Sequence, residues 1–234
     1  MLNWTLAEIR TKVQNDLDLI DEDFITTDEL DAYINEGIDL AEAEIHTIYE
    51  NKNQHYFLSV ADIDLVTGTS DYEFPTDVYA NKIRRLIYDD GSRKYMVRVI
   101  KNLDELPLVE STEDYRCVIF NITGVGPRIR LFPASRETDS TGKLKIYYLR
   151  NANRLVDDTD ECDIPEAANY VIQYAKEQCL AKENGGVSPP GAISKTNMFK
   201  QLMVESLTEM VPDEDNLIDP DTSFYEDFSF PFER

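Results

Sequence analysis

The densest set of groups able to hold a cation is the run DDTDECDIPE, Asp157 to Glu166. A calcium loop needs several oxygens converging at fixed spacing and a glycine at its sharp turn. This run has no glycine, and Cys162 and Ile164 interrupt it. Carboxylates placed just before a helical pattern meet free N–H groups and the positive end of the helix dipole. The run therefore reads as a charged cap for the helix that follows, with Asp163 at the N-cap. His46 and His55 are the only histidines, and Cys117, Cys162 and Cys179 are widely spaced with no CxxC. They offer neither a zinc set nor a disulfide framework, and the thiols read as reduced and structural. The turn GVGP (124–127) lacks the GK[ST] ending and lies between strand patterns, so no helix N-terminus follows to receive a phosphate. The hydrolase elbow GxSxG is also missing. Catalytic, metal-binding and cofactor-binding residues are all expected to be absent, and the chain does not read as an enzyme.

Two other clusters suit surfaces rather than reactions. The segment NKIRRLIYDDGSRKYMVRVIK (81–101) concentrates Arg84, Arg85, Arg93, Lys94 and Arg98. Alternation along a hairpin would gather several of them on one face, a pattern met in nucleic-acid binding. The whole chain, however, has 46 acids against 23 bases, a formal charge of -23. Such a field repels a phosphate backbone. The basic cluster is better matched to acids of a neighbouring subunit, where it would fix register and steer association. At the C-terminus, FYEDFSFPFER places Phe224, Tyr225, Phe228, Phe230 and Phe232 behind an acidic, proline-punctuated lead-in. A segment so rich in acid does not fold alone. Its alternating phenylalanines would share one side of an extended chain, as in strand addition to a partner sheet. This makes the tail a candidate docking arm.

The elements that carry these clusters follow from periodicity. Thr5 with Glu8, and Thr26 with Glu29, are capping boxes. Behind them Leu6, Ile9, Val13 and Leu17, then Leu30, Ile34, Ile38, Ala41, Ile45 and Ile48, recur at helical spacing. From about residue 56 the period shortens to seven runs rich in β-branched and aromatic residues, separated by turn signals such as Asp90-Gly91. They predict six or seven strands in a small antiparallel sandwich or barrel, with a short helix at NLDELPLV. Helix returns at DIPEAANYVIQYAKEQCLAKENGG, and again after the loop GVSPPGAIS. The fold class is α+β: a helical core of about four helices, an inserted antiparallel β module and an extended C-terminal arm. The expected divisions are 1–54 and 151–210 for the two halves of the core, 55–150 for the β module and 211–234 for the arm. No run of eighteen apolar residues is present, so no membrane span is expected. The N-terminus lacks the order of a signal peptide, which points to an intracellular site of synthesis.

The order of LAEIRTKVQNDL, DELDAYINEGIDLAEAEI, TGTSDYEFPTDVYANKIRRLIYDDG and IRLFPASRETDSTGKLKIYYLRNANRLVDDTDECDIPE resembles the head-to-tail adaptor (connector) proteins of short-tailed bacteriophages. The resemblance spans about residues 3–210. It implies a virion protein of the neck that forms a ring, typically a dodecamer, beneath the portal, extends the DNA channel and docks the tail nozzle or tube. Its partners would be itself, the portal protein and a tail protein, and DNA would pass through without being held tightly. A C-terminal extension of the family commonly reaches along the portal. Another neck or tail component, such as a tail tube or nozzle subunit, and a generic acidic protein-binding module are the alternatives.

Overall fold

The computed structural model describes residues 4–18, 24–50, 55–89, 91, 93–100, 115–122, 126–134 and 142–211. The proposed short helix at NLDELPLV and the whole aromatic arm lie outside them. Contacts divide the chain into two compact units, residues 1–54 with 153–234 and residues 55–152.

The first unit is helical. Helix α1 (Leu6–Leu17) starts at the Thr5–Glu8 capping box, in which both reciprocal bonds form. Helix α2 (Thr27–Glu50) starts at the second box, where Glu29 N–H donates to Thr26 Oγ1 at 3.2 Å and Thr26 N–H donates to the Glu29 carboxylate at 3.0 Å. A 3₁₀ turn (Pro165–Ala167) leads into α3 (Ala168–Glu183), and α4 (Pro190–Met210) follows. The fourth helix begins within the expected loop, because Pro190 at its first position supplies helical φ and lacks an N–H that would go unpaired there. Leu6, Ile9 and Val13 of α1, Leu30, Ile34 and Ile45 of α2, and Val171 and Ala175 of α3 are fully or almost fully buried. Met203 and Leu207 of α4 join them. Gly37 allows α2 and α3 to approach closely: a Cβ there would sit 3.3 Å from the Tyr174 ring and 3.4 Å from Val171 Cα.

Long-range pairs fix how these helices pack. Arg10 of α1 forks onto Asp31 of α2 with two bonds of 2.9 and 2.8 Å, and its third nitrogen donates to Asp158 at 2.8 Å. Lys176 of α3 bonds Asp16 of α1. Lys182 donates to both oxygens of Glu29 at 2.7 Å, and Lys200 of α4 pairs with Glu44 of α2 at 2.8 Å.

The second unit is a β sandwich. Its strands are β1 (Leu58–Asp64), β2 (Asp71–Glu73), β3 (Val78–Asp89), β4 (Lys94–Met96), β5 (Arg98–Val99), β6 (Arg116–Ile122), β7 (Gly126–Phe132) and β8 (Lys143–Arg150). One sheet runs β1-β8-β3-β4 and the other β2-β7-β6-β5. Alternate residues of both sheets, among them Leu86, Tyr88, Ile129, Leu131, Leu144 and Ile146, fill the space between them. Opposite charges sit across from each other on the outer faces. Asp71 faces Arg130 and Glu73 faces Arg128 between β2 and β7, while Asp62 faces Lys145 and Asp64 faces Lys143 between β1 and β8. A slip of one residue would bury these charges and expose the core, so the pattern specifies register.

Two details depart from the strand expectation. The run KYMVRVI is not one strand but two, divided at the buried Val97, whose N–H donates to Leu86 O at 2.9 Å in the first sheet. Arg98 and Ile100 then bond to the other sheet, through Tyr115 O at 3.3 Å and Cys117 O at 2.7 Å. The seven apolar runs thus make eight strands. The second difference is that β5 lies parallel to β6 within an otherwise antiparallel arrangement.

Candidate functional site

The feature that gathers sequence-predicted residues is a cleft on the β unit, lined by Ile83, Arg84, Arg85, Leu86, Met96, Val97, Arg98 and Val99. Backbone geometry explains its cations. On a regular strand Arg84 and Arg85 would point to opposite faces. Here the pairing of β3 with β8 shifts register between Val78 and Ile83 and again between Ile83 and Arg85. Ala80 and Asn81, with φ of 46° and 58°, adopt the left-handed backbone of this irregularity. Both arginines are consequently exposed, and Leu86 returns to the core. Across the cleft the turning-in of Val97 leaves Met96 and Arg98 facing out.

Three arginines therefore surround an apolar floor that includes Met96 and Val99, which are 66% and 43% exposed. Among the described residues neither Arg85 nor Arg98 has an ion pair. That contrasts with the sheet cations nearby: Arg130 grips Asp71 with bonds of 2.6 and 2.8 Å, and Arg128 bonds Glu73 at 2.6 Å. The Arg130 guanidinium holds the Asp71 carboxyl below its ordinary pKa. Of the other two predicted members, Lys94 lies at the turn end of the β3–β4 hairpin, 3.8 Å from Asp89. Arg93 is exposed just before β4 and does not line the cleft. The arm residues Phe224, Tyr225, Phe228, Phe230 and Phe232 fall outside the described residues.

The acidic run does not cap the helix that follows it. Ile164 occupies the N-cap of the 3₁₀ turn without a side-chain bond, and the Asp163 carboxylate instead accepts from Asn153 N–H at 3.2 and 3.3 Å. The run serves α1. The carbonyls of Asp160 and Asp158 accept the N–H groups of Leu6 at 2.9 Å and Ala7 at 3.2 Å, two of the donors a helix start leaves unpaired. The Asp160 carboxylate turns back to accept Asp157 and Val156 N–H, both at 2.8 Å, and these bonds depress its pKa. Nothing local in the sequence connects residue 6 to residue 160.

The three cysteines are free and buried. Burial pushes the Cys117 thiol up to about 12 and the Cys162 and Cys179 thiols up to about 11, so they remain protonated at neutral pH. Among the described residues no group of three or more His, Cys, Asp or Glu side chains could hold a metal ion. No described helix is long and apolar enough to cross a membrane.

The chain thus consists of a helical unit interrupted in sequence by a β sandwich, whose surface carries charge ladders and an arginine-lined cleft. Residues 4–221 match the SU10 adaptor protein family, and the chain belongs to that family. It is a phage adaptor protein, of a structural rather than a catalytic class. No curated protein matches the chain.

Proposed function

We propose that the protein is the head-to-tail adaptor of a tailed phage, assembling as a ring, dodecameric by the family resemblance, under the portal vertex. The ring extends the DNA channel and offers the surface on which the tail nozzle or tube docks. The C-terminal arm, with Phe224, Tyr225, Phe228, Phe230 and Phe232, engages the portal. The cationic patch of Arg84, Arg85, Arg93, Lys94 and Arg98 pairs with acids of a neighbouring subunit. The observation that carries this reading is the family match over nearly the whole chain. The formal charge of -23 supports it, since a channel wall rich in carboxylates lets duplex DNA pass without retaining it.

Negative-stain electron microscopy of the purified chain, alone and mixed with purified portal, tests the assignment. Rings of adaptor added to the portal are expected. A chain that stays apart from portal under all ionic conditions overturns it.

A further inference from the structure

We propose that the arginine cleft of the β unit is the seat of the acidic lead-in of the C-terminal arm, residues 213–221, of a neighbouring copy of this chain. The proposal narrows the inter-subunit pairing suggested above for the basic patch, and rests on it only in naming which acids are bound. Three observations lead to it. Arg85 and Arg98 have no ion pair among the described residues, in a chain with twice as many acids as bases. The cleft leaves Met96 and Val99 exposed between its cations. The lead-in, DEDNLIDPD, mirrors that pattern, with the apolar pair Leu217-Ile218 set between acids on both sides and no base anywhere in residues 212–233.

The edges of the sandwich add a second kind of complementarity. Among the described residues β4 and β5 are the outermost strands of their sheets, so the cleft lies where backbone pairing groups can accept an extended segment. Carboxylates on the guanidinium groups would set its register, and the aliphatic pair would cover Met96 and Val99. A nucleic acid would also satisfy the arginines, but it would leave the apolar floor exposed and must approach a chain of charge -23.

The test uses the full chain carrying ¹³C-methyl methionine and assembled on unlabelled purified portal, with the Met96 signal assigned by its loss in Met96→Leu. The variant D213N/E214Q/D215N/D219N/D221N removes the acids without touching a described residue. Its Met96 methyl resonance is expected to move by more than a line width, while that of the buried Met203 stays in place. In an R85E/R98E background the same five substitutions should leave Met96 unmoved. A Met96 signal indifferent to the five substitutions in the wild-type background overturns the proposal. If R85E/R98E nevertheless weakens ring formation with portal, the patch pairs with other acids, so the proposal fails while its inter-subunit role stands.

Discussion

The side-chain amide of Asn35 pairs with both backbone polar groups of Leu155, 120 residues away. Its oxygen accepts the Leu155 N–H at 2.9 Å and its nitrogen donates to the Leu155 carbonyl at 2.9 Å. The bonds tie the segment entering the acidic run to the middle of α2, and Leu155 is almost fully buried there. Neither backbone group can readily turn to water. Asn35→Ala should therefore cost more than an ordinary hydrogen bond, about 2 kcal/mol or more, because two buried groups lose their partners together. Urea unfolding followed by helical circular dichroism measures this, and a midpoint equal to wild type would contradict it.

Acid should weaken the helical unit through its bound carboxylates. Lys12 and Lys176 hold the Asp16 pKa down, Lys182 and the Thr26 N–H do the same for Glu29, and backbone N–H groups do so for Asp160. A carboxyl depressed in the folded state contributes stability that is full above its unfolded value, near 3.8 for Asp, and is lost as pH falls through the folded value. Loss should begin as pH falls to about 4 and deepen below it. Relief of the overall negative charge acts in the opposite direction, so a single variant separates the two. Asp160→Asn lacks the bound carboxylate but keeps nearly all of the net charge, and its urea midpoint should fall less between about pH 7 and pH 2.5 than that of wild type. Equal declines would assign the acid response to other groups.

What could be read along the chain were features whose cause is local. Both capping boxes lie within four residues, and the strands on either side of the Asp90-Gly91 signal pair directly, Asp89 opposite Lys94. The arginine cluster was legible as composition, but its geometry was not: it depends on a register shift against β8, a strand sixty residues later. The role of the acidic run escaped for the same reason. Carboxylates beside a coming helix suggest capping of that helix, and only the fold brings the carbonyls of Asp158 and Asp160 to the start of α1. Asn35 carries no signal at all, since an asparagine on the polar side of a helix has no marked partner in sequence.

Gly37 tests how closely α2 and α3 must pass. A glycine within a helix costs about 1 kcal/mol relative to alanine, which favours replacement. The added Cβ would meet the Tyr174 ring at 3.3 Å, a contact the ring can relieve by a small movement, so Gly37→Ala should lie within about 1 kcal/mol of wild type. A larger side chain meets the Val171 backbone, at 3.4 Å from the first added carbon, and backbone does not yield in the same way. Gly37→Ile should destabilise by about 1–3 kcal/mol through overpacking. Calorimetry of both variants decides the matter: similar melting temperatures for alanine and isoleucine would mean that the interface is looser than these distances imply.

The aromatic arm makes the sharpest demand on the proposed function. In DFSFPF the rings of Phe228, Phe230 and Phe232 alternate with Ser229 and Pro231, so an extended segment turns all three rings to one side. Truncating a ring buried in a partner pocket should cost about 2 kcal/mol per arm. Arms on one ring act together, so losses that are modest singly compound across the assembly. The variant F228A/F230A/F232A should consequently fail to join portal at concentrations where Ser229→Ala still forms the complex. Its own melting temperature should match wild type, because a segment so rich in acid contributes no core of its own. Sedimentation of each variant with purified portal provides the measurement, and full binding by the triple variant would remove the arm from the portal interface.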